Sequence, residues 1–265
     1  MLNKPRVTSL QFLNRLVWLD GEPLLDYVQP YRRKLFTQAL DTFDRHGRPK
    51  YSMVLCGRAK KNWKSTDLIL AALFVLMIRR SPQDSDGLIL ANDSDQAADD
   101  LKLAKRLVQI NPCLAAEIEV YANELRLRDG TATLKILPAK DVAGAHGKSA
   151  AIVCFDEIHG YKDWSLLEAL SPDPTRDCLT WITSYASLYN KAGAPLYDLM
   201  RIGKSGKDKR MLFSCTQATT PLMRGSPSCR PRSAPIHRCR RGRMVPVIWK
   251  RSERGCLLVA SAVCI

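Results

Sequence analysis

The strongest constraint on the fold is a basic segment, residues 56–66, that lies between two apolar runs. The run before it, Tyr51–Leu55, is short enough for a buried strand, and the run after it, Leu68–Ile78, is long enough for a buried helix. The segment ends in Lys64-Ser-Thr66. A strand, a basic loop and a helix that begins at Lys-Ser-Thr form the layout of a phosphate-binding loop. The helix N-terminus directs unpaired N–H groups and a positive dipole end at an anion.

This layout assigns roles to two side chains. Lys64 would reach the β- and γ-phosphates of a nucleotide, and the Ser65 hydroxyl would be a ligand of Mg²⁺. The segment departs from the usual pattern, which has glycine where this chain has Arg58 and Trp63, and its only glycine is Gly57. The Trp63 Cβ disfavours the positive φ that glycine allows. Alternatively, Lys-Ser-Thr is only the capping sequence of a buried helix, so a second site has to decide.

The second site follows an apolar run in the middle of the chain. All six residues of Ala150–Phe155 are apolar, which is typical of a parallel strand buried on both faces. Two adjacent carboxylates, Asp156 and Glu157, come directly after it. An ordinary acidic turn is the alternative. With the phosphate loop upstream, the pair predicts that Asp156 holds the Mg²⁺ of a bound nucleotide and that Glu157 polarises the attacking water. Together the two stretches predict a P-loop NTPase.

The composition excludes membrane and secreted classes. No segment approaches the ~18 uncharged apolar residues of a membrane span. The N-terminus, Met1–Arg6, has neither an apolar core nor a small-residue cleavage site, so no secretory signal is predicted. We expect a cytoplasmic protein without a membrane partner.

The net charge of +15 favours a polyanionic partner, and most of it lies near the C-terminus. Residues 215–265 carry +9, and the rest of the chain carries +6. Five of the nine cysteines also lie in 215–265, but none is spaced as a CxxC pair, so no zinc site is predicted. In a reducing cytosol the other four are expected to be buried apolar residues or free thiols.

Alternating strand and helix signals predict an α/β fold, a P-loop NTPase with a mainly parallel central sheet flanked by helices. Further strands are predicted at Gly87–Ala91, Thr180–Ser184 and Arg210–Ser214, and a hairpin at Leu125–Arg128 and Thr131–Ile136. Helices are predicted at Tyr31–Phe43, Asp95–Ile110, Leu114–Tyr121 and Trp164–Leu170, and Gly193–Leu199 is predicted to enter another helix. The predicted core runs through Val54, Leu90, Val153, Ile182 and Phe213.

Three regions follow from these patterns. Residues 1–50 form lead-in helices, 51–214 form the P-loop ATPase core, and 215–265 form a basic tail rich in Arg, Ser, Pro and Cys. The tail is expected to be disordered or irregular, because no helical or alternating period holds in it through Arg243. It would also suit a basic nucleic-acid-binding arm.

Four motifs occur in an order that resembles the ATPase half of a phage terminase large subunit, the DNA-packaging motor. They are Gly57–Thr66, Ala91–Ala97, Phe155–His159 and Thr180–Ser184. The resemblance covers roughly Asp20 to Ser214, and it is the ordered set that makes it specific. These proteins often carry basic phosphate loops of the form Arg-Lys-Asn-Gly-Lys-Ser, so the Walker A loop of this chain fits, with Trp63 as a departure.

The resemblance implies an ATP hydrolase that uses ATP and Mg²⁺ to power viral genome packaging. A glutamine of the family contacts adenine, and Gln29 is the matching position; a plain helix-entry residue is the alternative. Thr183 or Ser184 matches a hydroxyl residue that senses the γ-phosphate, unless it was chosen for β-propensity alone. Nucleotide contacts are expected from Lys60, Lys61, Asn62, Lys64, Ser65 and Thr66. The metal is expected to be held by Ser65 and by Asp156 of the Walker B motif.

Charge compensation in the transition state has two candidate sources. Arg58, or Lys60 and Lys61, would offset the charge that develops there, or would only solvate the loop. The expected catalytic residues are Glu157, Thr183 and Arg58, with Arg58 as the catalytic arginine. The expected partners are double-stranded DNA, the phage portal, the small terminase subunit and further copies of the chain, in the bacterial host cytoplasm.

The tail has a second explanation, a shifted reading frame near residue 215. Joining the last base of each codon to the first two of the next lets Cys215–Met223 read Tyr-Ala-Gly-Asp-Tyr-Thr-Thr-Asp, for one permitted choice of codons. Ser233–Arg238 can likewise read Arg-Ala-Asn-Pro-Ser. Both strings resemble what terminase large subunits carry after this strand. We therefore expect a truncated terminase-like ATPase without the downstream nuclease domain, since no acidic cluster follows Ser214.

Two other functions compete with this one. A helicase-type P-loop motor shares the whole apparatus, and strand unwinding without a portal partner would distinguish it. A non-enzymatic basic DNA-binding protein would act through the tail alone, and DNA affinity that survives deletion of residues 1–214 would favour it.

Overall fold

The structure, a computed structural model, describes residues 7–59, 61–79, 86–91, 94–137, 150–171, 177–185 and 189–215. Its strands are β1 (Met53–Gly57), β2 (Gly87–Leu90), β3 (Ile118–Val120), β4 (Glu124–Leu127), β5 (Thr133–Ile136), β6 (Ile152–Phe155), β7 (Leu179–Ser184) and β8 (Met211–Cys215). Its helices are α1 (Ser9–Leu13), α2 (Leu24–Tyr27), α3 (Pro30–Asp41), α4 (Lys64–Ile78), α5 (Ser94–Ile110), α6 (Pro112–Ala115), α7 (Ser165–Ala169) and α8 (Pro195–Ser205), with a 3-10 turn at Ile158–Gly160.

The strands form one eight-stranded sheet in the order β3-β4-β5-β2-β6-β7-β1-β8. The pairs from β5 to β8 are parallel, and β3–β4 and β4–β5 are antiparallel. This confirms the predicted α/β fold with a mainly parallel sheet, and it confirms the hairpin. The predicted tail, 215–265, lies outside the described residues except for Cys215.

Parallel pairing brings the two predicted sites to one edge of the sheet, the edge formed by the carboxyl ends of the parallel strands. Strand β7 lies between β6 and β1, with Ile182 opposite Phe155 on one side and Ser184 opposite Gly57 on the other. The chain therefore leaves all three strands at the same edge, the place where open α/β sheets bind their ligands. The phosphate loop follows β1, and the carboxylate pair follows β6.

The core has two layers, one on each face of the sheet. Because side chains alternate along a strand, Val54 and Cys56 of β1 point to one face and Leu55 to the other. The first face is covered by α4, α5 and the lead-in helices, and the second by α7, α8 and the 3-10 turn. Four predicted core residues, Val54, Leu90, Val153 and Ile182, are buried, whereas Phe213 on the edge strand is half-buried.

The lead-in helices share this core. Phe12 of α1 packs edge-on against Phe74 of α4, with 5.6 Å between the ring centroids, and Phe36 of α3 stacks on Trp181 of β7 at 6.0 Å. Helix α4 is apolar all round because it lies between these helices and the sheet, as expected for a fully buried helix. All described residues belong to one unit of the chain, Met1–Ala218.

The predicted helix at Leu114–Tyr121 is wrong in its second half. Helix α6 ends at Ala115, and Ile118–Val120 forms the edge strand β3, with Ile118 opposite Leu127 of β4. Pairing with a neighbouring strand and burial of Ile118 override the local helical signal, which is how β-branched residues behave at a sheet edge. The segment predicted to enter a helix, Gly193–Leu199, contains the start of α8 at Pro195, and the helix continues to Ser205.

No helix in the described ranges is long and apolar enough to cross a membrane.

A close approach of α8 to β8 leads to a stability prediction. A Cβ added to Gly203 would lie 2.1 Å from Phe213 Cδ2, so the ring or the helix would have to move. We expect Gly203→Ala to destabilise the protein by about 1–3 kcal/mol in urea unfolding. Its neighbour on the same helix, the exposed Lys204, provides the control substitution Lys204→Ala. Stabilisation by Gly203→Ala, the usual effect in a helix interior, would contradict this packing.

Candidate nucleotide-binding site

The phosphate loop adopts the backbone geometry that its sequence disfavours. Trp63, the residue before α4, has φ 57° and ψ 18°, and Lys61 has φ 59°, both in the left-handed region. A non-glycine residue in this region costs roughly 1–2 kcal/mol. The loop nevertheless turns so that Lys64 is the first residue of α4. The expectation that the Trp63 Cβ would limit a positive φ is therefore wrong.

Contacts of the Trp63 ring explain how this geometry is held. Its centroid lies 4.9 Å from that of Trp18 and 5.9 Å from that of Tyr27, and the Arg32 guanidinium carbon lies 4.8 Å from it. Aromatic pairs and cation–π contacts each stabilise by about 0.5–1.5 kcal/mol. Together they offset the left-handed backbone, so the lead-in region fixes the loop through Trp63.

Lys64 is almost completely buried, and its ammonium group faces oxygen atoms. Lys64 Nζ donates a hydrogen bond to the Ala59 carbonyl oxygen at 3.2 Å and lies 3.4 Å from Glu157 Oε1. Only 5% of the residue is exposed. An ammonium group carries three donors, so a buried cation with these two oxygen contacts has capacity for a further acceptor.

Asp156 lies behind Ser65 and is fully buried. Ser65 Oγ donates to Asp156 Oδ2 at 2.6 Å, and the Thr183 hydroxyl donates to Asp156 Oδ1. The Glu157 backbone N–H also donates to Oδ1, at 3.1 Å. Residues from α4, β6 and β7 thus meet at one carboxylate. The hydroxyl and the carboxylate predicted to hold Mg²⁺ are in direct contact.

A second carboxyl group, Asp100 of α5, lies against Asp156. Burial, the negative charge of Asp156 and a hydrogen bond with it raise the pKa of Asp100 to about 9. Two adjacent buried carboxyl groups cannot both ionise cheaply, so Asp100 keeps its proton at neutral pH. Sequence reasoning missed Asp100, because no local pattern shows that this residue of α5 reaches Asp156 after β6.

This raised pKa predicts how stability changes with pH. The folded protein holds a proton that the unfolded chain releases near pH 3.8. The contribution of the Asp100 carboxyl group to the free energy of unfolding is therefore fully present below that pH. It is lost as the pH rises toward 9. Asp100→Asn cannot ionise. In EDTA and urea we expect it to be more stable than the parent at pH 8, on the order of 2 kcal/mol, with a smaller gain at pH 5. A difference that does not vary with pH would contradict the assignment.

Six of the predicted site residues line a cavity of about 490 Å³ at this edge of the sheet. Its walls are Lys61, Asn62, Trp63, Lys64, Ser65, Thr66, Gln96, Glu157, His159 and Tyr185. The loop, the start of α4 and Glu157 therefore surround one space, and Asp156 is buried behind Ser65. Asn62 is held by a residue that does not line the cavity, since its Oδ1 accepts a hydrogen bond from the Tyr31 hydroxyl at 2.7 Å.

Four predicted residues are placed elsewhere or lie outside the described ranges. Arg58 is buried and donates to Asp67 Oδ2 at 2.6 Å, opposite Arg32, which donates to Oδ1. Gln29 precedes α3, is exposed, and accepts a hydrogen bond from Arg32 at 3.3 Å. Thr183 contacts Asp156 from behind. Lys60 lies outside the described residues. The roles proposed for these four remain predictions.

Three cavity residues are ones to which the sequence assigns no role. Gln96 lies near the start of α5, His159 in the 3-10 turn after Glu157, and Tyr185 directly after β7. The signal that could have found them is their position just beyond the carboxyl ends of parallel strands. For His159 the sequence alone favours neither a structural nor a functional role.

The donor set fits a magnesium–nucleotide complex better than a metal site made by protein alone. Among the residues that the structure describes, no group of three or more His, Cys, Asp or Glu could hold a metal ion. Mg²⁺ is usually bound by one or two carboxylates together with phosphate oxygens. Ser65 and Asp156 supply one hydroxyl and one carboxylate, and a nucleotide would supply the rest.

A solved structure of a phage large terminase shares this fold. The HK97 bacteriophage large terminase matches with a TM-score of 0.68 and 19% identity, over 80% of this chain and 44% of its own. The large terminase of a thermophilic bacteriophage gives 0.49 and 13%, over 70% and 45%. The large terminase ATPase domain from a Thermus phage gives 0.46 and 18%, over 68% and 84%. No family model matches the sequence, and no curated protein matches it.

The HK97 match establishes the class of fold. The described residues share the α/β fold of the HK97 bacteriophage large terminase, a likeness that the motif order predicted. The chain spans 44% of the length of the HK97 protein.

Proposed function

We propose that this chain is a terminase-like ATPase that powers packaging of phage DNA. One observation carries the proposal: Lys64 and Ser65 at the start of α4 and Glu157 after β6 line one cavity, and Asp156 lies directly behind Ser65. A basic loop at a helix N-terminus binds phosphate, and paired carboxylates serve metal and water. The likeness to the HK97 large terminase supports the same function.

The loop and α4 would bind the nucleotide. The backbone N–H groups at the start of α4 would cradle the phosphates, and Lys64 would exchange the Ala59 carbonyl and Glu157 for phosphate oxygens. Ser65 and Asp156 would hold Mg²⁺, which when bound neutralises charge on the transferred phosphoryl group. Gln29 is proposed to contact adenine, and Lys60, Lys61, Asn62 and Thr66 to complete the nucleotide contacts.

Hydrolysis is proposed to depend on Glu157, which borders the cavity and would orient the attacking water as Lys64 turns away from it. Thr183 contacts Asp156 and would report the state of the phosphates to β7. Arg58 would stabilise the transition state, and to do so it has to leave its pairing with Asp67. Most of the barrier reduction in such reactions comes from positioning and charge stabilisation.

The partners are proposed from the fold and the charge. A terminase-like motor would act on double-stranded DNA in the host cytoplasm, as an oligomer docked on the portal and together with the small terminase subunit. The net charge of +15 suits a DNA partner.

Steady-state phosphate release tests this function. We expect the chain to hydrolyse Mg·ATP, and we expect double-stranded DNA to increase the rate more than single-stranded DNA at equal phosphate concentration. EDTA should abolish the activity. Separation of a duplex into single strands would favour a helicase-type motor, and no hydrolysis with or without DNA would contradict the proposal.

We also propose that residues 215–265 are read in a shifted frame, and that 1–50 and 51–214 form the lead-in helices and the motor core. The support is the abrupt change of composition after Ser214. Sequencing the gene across codon 214 tests it. An uninterrupted frame, with no coding potential in the other register, would contradict the shift.

A further inference from the structure

Four side chains form a closed ring at one wall of the cavity. Lys64 Nζ lies 3.4 Å from Glu157 Oε1, and His159 Nδ1 lies 3.1 Å from Glu157 Oε2. His159 Nε2 and the Tyr185 hydroxyl share a hydrogen bond at 3.1 Å. Lys64 Nζ then lies 5.5 Å from the centre of the Tyr185 ring. Both carboxylate oxygens of Glu157 thus face a partner.

Glu157 needs such support because of its backbone and its burial. Its φ of 53° and ψ of 48° are left-handed, a conformation that few non-glycine residues adopt. Its side chain and that of His159 are each 13% exposed. A strained, largely desolvated carboxylate is held in place by its neighbours, and strain of this kind gathers at functional sites.

The hydrogen bond to Tyr185 orients the His159 ring so that Nδ1 faces Glu157. A hydroxyl that donates to Nε2 leaves the ring proton on Nδ1, the nitrogen that approaches Glu157. A base oriented by a second group, itself oriented by a third, is a recurring arrangement in catalysis. Tyr185 follows β7 directly, and Thr183 of β7 contacts Asp156. The end of β7 therefore supports both carboxylates, Asp156 directly and Glu157 through His159.

We propose that His159 and Tyr185 are positioning residues for the carboxylate of Glu157. In the free protein Glu157 lies between Lys64 and His159. When Lys64 turns to phosphate, the contact with His159 remains and keeps Glu157 at the cavity wall, with Tyr185 fixing the imidazole. This inference rests on the proposed ATPase function. It concerns residues that the ordered motifs left without a role.

Two truncations test the proposal in the full-length chain. We expect His159→Ala and Tyr185→Phe to lower kcat for Mg·ATP by about 10- to 100-fold, as loss of a supporting partner does. The dissociation constant for Mg·ATP should stay within about threefold of the parent, because neither residue replaces Lys64 or Ser65. Tyr185→Phe removes one oxygen atom and keeps the ring, so it tests the idea even if His159→Ala does not fold.

Amide substitutions separate positioning from packing. An asparagine amide can stand in for Nδ1 and a glutamine amide for Nε2. We expect His159→Asn to retain more activity than His159→Ala or His159→Gln, and Tyr185→Phe to have no further effect in the His159→Ala chain. Unchanged kcat in the single variants, or weaker nucleotide binding with unchanged kcat, would overturn the proposal. If the parent chain does not hydrolyse ATP, the proposed function itself fails, which is a separate result.

Discussion

Lys64→Ala is expected to lose most of the affinity of the chain for Mg·ATP. Lys64 is the buried cation at the start of α4, and it lies beside the Glu157 carboxylate rather than in solvent. Truncating one partner of a desolvated, charge-assisted contact costs about 2–5 kcal/mol. This corresponds to a roughly 30- to 5000-fold rise in the dissociation constant. Isothermal titration of the full-length chain with Mg·ATP measures it directly.

The matched control for Lys64→Ala is Lys162→Ala. Lys162 is exposed and lies five residues after Glu157, so its removal changes the net charge equally without touching the cavity. Its affinity for Mg·ATP should equal that of the parent. If Lys64→Ala and Lys162→Ala bind ATP equally well while both are folded by circular dichroism, the assignment of the phosphate loop is wrong.

Glu157→Gln is expected to separate binding from turnover. The amide has the same shape as the carboxylate but cannot act as a base, and Asp156 with its Ser65 contact is left in place. We expect kcat to fall by about 10²- to 10⁴-fold, the usual contribution of a general base. Affinity for Mg·ATP should be unchanged or higher, because the neutral amide attracts Lys64 less strongly than the carboxylate does and so competes less with the phosphates.

Glu168→Gln provides the comparison, since Glu168 is exposed on α7 and does not line the cavity. Its turnover should match that of the parent chain. Loss of ATP binding in Glu157→Gln would mean that the roles of Asp156 and Glu157 are misassigned. Full turnover in that variant would remove Glu157 from the mechanism.

Several parts of the fold and the site were accessible from sequence because they depend on local patterns. The apolar runs before and after 56–66 predicted β1 and α4, and the run before Asp156 predicted β6. Parallel strands end at one sheet edge, so the two sites had to meet there. In the structure Lys64 Nζ lies 3.4 Å from Glu157 Oε1, so the two sites do meet.

Other parts depend on contacts between distant segments. The left-handed backbone of Trp63 is held by Trp18 and Tyr27, which lie far from it in the chain. The approach of Asp100 to Asp156 depends on how α5 packs, and no periodicity encodes it. Edge strand β3 likewise forms because β4 is beside it. In each case tertiary packing outweighs the local signal.

The pairing of Arg58 with Asp67 has the same origin. A basic loop residue is expected to face solvent or phosphate, yet Asp67 is one turn into α4 and fully buried, and it takes two guanidinium groups. An unpaired buried carboxylate would be costly, so Arg32 and Arg58 both satisfy it. The sequence pattern carried no sign of this competition for Arg58.

The most direct test of the account is a structure of the full-length chain with Mg²⁺ and a non-hydrolysable ATP analogue. We predict β- and γ-phosphates within hydrogen-bonding distance of Lys64 Nζ and of the backbone N–H groups that begin α4. The metal should lie at Ser65 and Asp156, with Glu157 released from Lys64. A nucleotide bound away from this cavity, or none bound at saturating concentration, would contradict the central claim.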